Sequence, residues 1–258
     1  MSQDASTDST DKAIDPDRLD AVIFDLDGVI TDTASVHLDA WIRMFNDFLE
    51  QWGDDEPFTE QDYLAHVDGR PRYDGVRAFL ASRGIELPEG EVSDPPEAET
   101  VCGLGNRKND LFRAVLAEGV DPYPTSVTLV EQIRAAGMKT GLVSSSRNAG
   151  PVLEAAELSH LFAVRVDGND VIERGLPGKP DPAMFLAAAE ELGVAPARAA
   201  VVEDALSGVE AGRRGEFGLV IGVNRGAAAE QLRARGADVV VDDLGELTVA
   251  GADQQSTP

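Results

Sequence analysis

The sequence contains one cysteine, Cys102, so it cannot form a disulfide within the chain or build a zinc site from cysteines. No apolar run approaches eighteen residues, which argues against a membrane span, and the first twenty residues are acidic and rich in Ser and Thr, unlike a signal peptide. Lysine is scarce: Lys12, Lys108, Lys139 and Lys179 are the only four among 22 Lys+Arg, against 47 Asp+Glu and a formal charge of −25. So negative a surface repels nucleic acid and anionic lipid unless a basic patch overrides it, and no such patch is visible. The expectation is a soluble, cytoplasmic, monomeric protein whose partners are small molecules, with neither nucleic acid nor membrane among them. An acidic, Lys-poor, Arg-rich chain also suits a salt-rich cytoplasm, where the screening length falls to about 3 Å at 1 M.

What is present is a chain of 258 residues, 43% hydrophobic, long enough for one large domain or a core with a smaller partner. Short apolar runs at 21–26, 140–143, 163–166, 199–202, 218–223 and 238–241 have the length and Val/Ile content of strands buried on both faces. Helical patterns at 127–136, 151–158, 182–192 and 207–213 lie between most of them. This alternation predicts an α/β fold: a Rossmann-like parallel sheet flanked by helices. More than about a hundred residues separate the first strand from the second, far beyond a crossover connection, so an insertion is expected there. Its patterns are helical, at 36–52, 63–66, 74–82 and 108–118, and predict an inserted α-helical cap domain. The expected division is a disordered tail at 1–18, a catalytic core at 19–32 and 115–250, a cap at 33–114 and a second tail at 251–258.

The first strand ends in Asp25-Leu26-Asp27-Gly28. Strand periodicity places Asp25 and Asp27 on one side, at the carboxyl end where open parallel sheets bind ligands. The second ends in Ser144-Ser145-Ser146-Arg147-Asn148, a hydroxyl-rich turn opening a helix, which suits an anion. The fourth ends in Glu203-Asp204, and Lys179 sits in a proline-bounded loop between them. Hard oxygen ligands without His or Cys suit Mg²⁺, bound by carboxylates and substrate phosphate oxygens. The pattern therefore predicts a magnesium-dependent phosphoryl site.

Asp25-x-Asp27-Gly28, Ser144, Lys179 and Glu203-Asp204, in this order with a long insertion after the first, resemble the haloacid dehalogenase superfamily. The run from Phe24 to Thr33, with His37, Trp41, Gly69-x-x-Arg72, Asn106-Arg107-Lys108-Asn109 and 144–148, is similar to the β-phosphoglucomutase subfamily. The resemblance implies that Asp25 is the nucleophile, Asp27 the general acid and base, and Lys179 and Ser144 the groups holding the transferring phosphoryl oxygens. It also implies Mg²⁺ held by Asp25, the Asp27 carbonyl and Asp204, with Glu203 assisting. His37, Trp41, Gly69, Arg72, Lys108, Asn109, Ser145, Ser146, Arg147 and Asn148 would bind a sugar phosphate or bisphosphate, and His37 would keep Asp27 out of position until the cap closes. For the pair to work, Asp27 must be neutral while Asp25 is charged, an asymmetry that like-charge repulsion helps supply. The implied activity interconverts β-glucose 1-phosphate and glucose 6-phosphate; a sugar-phosphate phosphatase on the same scaffold is the alternative.

Two departures stand out. Asp68 occupies a position where some members carry a lysine, and the stretch 167–178 is longer than in compact mutases. Two apparent motifs fail on their own terms. Gly103-x-Gly105 lacks a third glycine and a preceding strand, and Pro180 stands where a P-loop needs Ser or Thr.

Overall fold

The structure, a computed structural model, describes residues 12–53, 56–116, 119–225 and 227–251. In chain order the elements are β1 (Ala13–Ile14), β2 (Ala21–Asp25), α1 (Ala34–Trp52), α2 (Glu60–Asp62) running into a π-helical turn (Tyr63–Val67), α3 (Arg72–Ser82), α4 (Val101–Leu116) and α5 (Pro124–Ala135). Then follow β3 (Lys139–Val143), α6 (Ala149–Ala155), β4 (Val164–Val166), α7 (Gly168–Glu173), α8 (Ala183–Leu192), β5 (Ala199–Glu203) and α9 (Leu206–Arg214). The last are β6 (Leu219–Val223), α10 (Ala229–Arg235), β7 (Val239–Val241) and β8 (Thr248–Val249).

Six strands form a parallel sheet in the order β4-β3-β2-β5-β6-β7. Alternation along each strand divides the core. Val22, Phe24, Leu142, Val202 and Ile221 pack on one face, and Ile23, Val143, Val201 and Val220 on the other. The chain winds outward from β2 to β3 and β4, then returns to place β5 on the opposite flank. This reversal beside β2 opens a crevice at the carboxyl ends of the strands.

Helices α1 to α4 fill the interval between β2 and β3 and have their own core. Phe45 stacks on Trp41 (5.3 Å between ring centroids) and contacts Phe58 and Phe79 at 4.8 and 4.3 Å. Helix α4 begins seven residues before the expected position 108 and runs through residue 114, where the sequence reading ended the cap. Thr100 Oγ1 accepts the Gly103 N–H at 2.9 Å and so caps the helix. Gly105 then lets Tyr73 approach: a Cβ there would lie 2.7 Å from the tyrosine ring.

The expected tail at 1–18 is corrected for its last residues. Ala13–Ile14 pairs in parallel with Thr248–Val249, and Ile14 is buried. A two-residue strand has no periodicity to read, and its partner lies at the other end of the sequence. Residues 1–11 and 252–258 lie outside the described residues. Among the described residues, no helix is long and apolar enough to cross a membrane.

Candidate active site

Asp25 is the last residue of β2, and Gly28 (φ 80°) turns the chain immediately after Asp27. Both carboxylates reach one cleft between sheet and cap. Their partners differ completely. Asp25 Oδ1 accepts from Lys179 Nζ at 2.6 Å, and the same ammonium bonds Glu203. Asp27 accepts from Thr33 Oγ1 and, at 3.1 Å, from Ser144 Oγ.

Lys179 is 2% exposed, and Ser144 is fully buried. Neither lines the open cleft; each holds a carboxylate from behind. Glu203 is equally enclosed, accepting the Ala205 N–H at 2.9 Å, with Gly208 packed so closely that a Cβ would collide with its carboxylate. One oxygen each from Asp25, Glu203 and Asp204 lies within 4.8 Å of the others, a donor set of hard oxygens that fits a magnesium ion. The Asp27 carboxylate lies outside this cluster. Of the expected metal-holding residues, Asp27 can therefore take part only through its main-chain carbonyl.

The cap supplies the groups around Asp27. His37 and Lys108, on α1 and α4, form a relay: Lys108 Nζ bonds His37 Nδ1, and His37 Nε2 lies 3.2 Å from Asp27 Oδ1 without hydrogen-bond alignment. With Lys108 donating, Nδ1 accepts and the ring proton faces Asp27 on Nε2. Lys108 is 3% exposed, borders the cleft and sits over the rings of Trp41 and Phe112. Burial, followed by the Arg72 charge, pushes the lysine well below its ordinary pKa; burial and Lys108 also hold His37 low.

The two acids are polarised opposite to the expectation. Burial and the Glu203 and Asp27 charges raise Asp25 well above the carboxylate range, against the pull of Lys179. Burial also disfavours charge on Asp27, but the neighbouring His37 and the hydrogen bonds from Thr33 and Ser144 outweigh it and hold that group low. A divalent cation among Asp25, Glu203 and Asp204 would reverse the sense at Asp25 by adding opposite charge.

The cleft lining is also cationic, through Arg70, Arg72 and Arg147. Arg72, at the start of α3, donates to Asn109 Oδ1 at 2.6 Å, and Asn148 Nδ2 from the core donates to the same oxygen at 2.8 Å. One amide thus ties cap to core. Arg147 faces the cleft with Nε 3.1 Å from Asn169 Oδ1. Ser145 Oγ bonds the Gly69 carbonyl at 2.7 Å, so it fastens the cap; Ser146 Oγ accepts the Asn148 N–H at 3.1 Å. Trp41 is buried in the cap core yet borders the cleft.

Three polar residues of the cleft carry no role in the sequence reading. Tyr63, Asp68 and Arg70 come from the π-helical turn and the loop after it. Burial and the nearby Glu203 charge push Asp68 up to about 6, although Tyr63 bonds it. The sequence flagged position 68 only as a missing lysine. Thr33 lay inside the quoted motif, and its place just before a helix was a usable signal.

Comparisons with known proteins identify the family. The sequence matches the haloacid dehalogenase-like hydrolase family over residues 19–215. It is 50% identical over 242 residues to the β-phosphoglucomutase of Mycobacterium tuberculosis, covering 90% of this chain and 92% of that protein. It is 30% identical to the phosphorylated carbohydrates phosphatase of Thermotoga maritima, covering 81% and 89%. The solved β-phosphoglucomutase of Clostridium difficile superposes with a TM-score of 0.74 at 27% identity, covering 89% of this chain and 93% of that one. The chain belongs to the haloacid dehalogenase superfamily, in its β-phosphoglucomutase-like subfamily, and is an enzyme of the phosphotransferase or phosphatase type.

Proposed function

We propose that the protein is a magnesium-dependent β-phosphoglucomutase working through a phosphorylated Asp25. The observation that carries this reading is the mixed lining of the cleft. Asp25 and the acid cluster share it with Arg72, Arg147 and Asn148, so a sugar with a phosphate on each side has a candidate partner for both. Arginine suits the distal position because its planar fork matches phosphate oxygens. The 50% identity to a named β-phosphoglucomutase supports the choice of sugar.

In the first half-reaction an Asp25 oxygen attacks phosphorus, the bond from phosphorus to the sugar oxygen breaks, and Asp27 gives that oxygen its proton. In the second, Asp27 takes the proton of the 6-hydroxyl of an incoming β-glucose 1-phosphate as that oxygen attacks phospho-Asp25, the bond from phosphorus to the Asp25 oxygen breaks, and the bisphosphate is regenerated. Bound among Asp25, Glu203, Asp204 and the Asp27 carbonyl, magnesium would offset the repulsion between carboxylate and phosphate. Lys179 keeps Asp25 and Glu203 in place. The Thr33 and Ser144 bonds must slacken for Asp27 to carry its proton, and both depend on how the cap and the β3 loop sit.

A phosphatase is the second reading. Asp68 stands where some mutases have a lysine, and a phosphatase is among the relatives. The deciding experiment supplies β-glucose 1-phosphate, magnesium and a trace of the bisphosphate, and follows glucose 6-phosphate and free phosphate separately. Glucose 6-phosphate without matching free phosphate is the expected result. Stoichiometric free phosphate without glucose 6-phosphate would replace the mutase with a phosphatase.

A further inference from the structure

The long connection between β4 and Lys179 folds into α7, and the start of that helix is built against the loop following β3. Asp167 is buried and forms a reciprocal cap. Its carboxylate accepts the Asn169 N–H at 2.7 Å, while Asp170 accepts the Asp167 N–H at 2.8 Å. Gly168 N–H donates to the Ser146 carbonyl at 3.2 Å. A Cβ on Gly168 would come within 2.6 Å of Ser145 O and 2.9 Å of Arg147 N, so the two backbones meet with no room for a side chain. This close approach brings the Asn169 amide alongside Arg147, where it bonds twice. Oδ1 accepts from Arg147 Nε at 3.1 Å, and Nδ2 donates to the main-chain carbonyl of Arg147 at 3.2 Å.

The consequence is stereochemical. A guanidinium meets a phosphate either along the edge that includes Nε or end-on through its two Nη atoms. Asn169 occupies Nε, and among the described residues no hydrogen bond or ion pair engages Nη1 or Nη2 of Arg147. We propose that Asn169 is a positioning residue that turns Arg147 for end-on, bidentate recognition of the phosphate not being transferred. This rests on the reading that a bisphosphorylated sugar occupies the cleft. It gives the 167–178 segment a role in the site without touching substrate. It also sets a requirement at position 147, because a lysine there has no Nε edge for the amide to hold.

The test uses the full chain with Asn169→Ala, Arg147→Ala and the double variant. Dissociation constants for β-glucose 1,6-bisphosphate are measured by calorimetry in an Asp25→Asn background, which lacks the nucleophile. Hydrolysis of p-nitrophenyl phosphate, which has no second phosphate, is measured with Asp25 intact. Asn169→Ala is expected to weaken bisphosphate binding about tenfold, the scale of one hydrogen bond to a charged group. It should leave p-nitrophenyl phosphate kcat/KM within about twofold and add nothing once Arg147 is alanine. Equal losses on both ligands, or equal losses with and without Arg147, would each overturn the inference. If Arg147→Ala weakens binding and Asn169→Ala does not, the phosphate subsite stands and the positioning role fails. If Arg147→Ala leaves binding unchanged, the subsite itself falls and takes the positioning role with it.

Discussion

Replacing Lys179 with methionine isolates what the buried ammonium does, because methionine keeps most of the apolar stem and removes only the charge. Lys179 is 2% exposed and bonds both Asp25 (2.6 Å) and Glu203. Removing one partner of a buried ion pair costs about 3–5 kcal/mol. At about 2–4 °C per kcal/mol for a chain of this size, the loss is on the order of 10 °C in Tm. The pH dependence follows from the shifts. Lys179 is raised in the folded state, so its own contribution is fully present below its unfolded pKa and is lost only in strong alkali. Asp25 is raised as well, which for a carboxyl means that folding binds a proton more tightly than the unfolded chain does, and stability falls as pH rises past about 4. Without Lys179 this penalty grows. The Tm deficit of the variant, measured by calorimetry in chelator, should therefore be large at pH 7.5 and smaller at pH 5. Adding magnesium should narrow it at pH 7.5, and phosphoryl transfer should be nearly abolished throughout. An unchanged Tm in chelator at pH 7.5, or a deficit identical at both pH values, would refute the reasoning.

Asp68→Asn should stabilise the protein at pH 7.5 by up to about 3 kcal/mol in chemical denaturation, since a carboxyl pushed up to about 6 costs stability as pH rises from about 4 to above 6; the gain should vanish below pH 4. Gly69→Ala should raise KM for the sugar phosphate in steady-state assays and lower Tm by a few degrees, from about 1–2 kcal/mol of left-handed strain at about 2–4 °C per kcal/mol. Gly69 has φ 69°, and a Cβ would press within 2.9 Å of Ala205 Cβ, loosening the contacts from Ser145 to the Gly69 carbonyl and from Ser207 to the Asp68 carbonyl (2.7 and 3.0 Å).

The sheet could be read from the sequence because its strands are buried on both faces. Apolar runs as short as the one ending at Val166 still mark a strand, and the acids and hydroxyls just beyond 25, 143 and 202 then fall at the carboxyl edge without further information. Local patterns stop short of the polarity of the two aspartates. It depends on His37 and Lys108, 71 positions apart, meeting across two cap helices, and periodicity within either helix says nothing of that meeting. The same limit hid Asp68, whose importance comes from facing Glu203 and Lys179 across the crevice. It hid Asn169 as well, whose partner lies in another loop.

The two chain crossings between cap and core are not independent. Thr31 bridges to Pro122, Asp32 N–H donates to the Asp121 carbonyl at 3.0 Å, and Tyr123 N–H donates to the Ile30 carbonyl at 2.9 Å, so the outgoing and returning strands are laced together. Sliding the cap off the core would break this lacing, whereas rotation about it would not. Thr31 and Thr33 lie on the outgoing strand, their hydroxyls 2.9 Å apart, and Thr33 donates to Asp27. Under the proposed mechanism the axis of such a rotation and the clasp on the acid would be the same few residues, tying the posture of the cap to whether Asp27 is free to carry a proton.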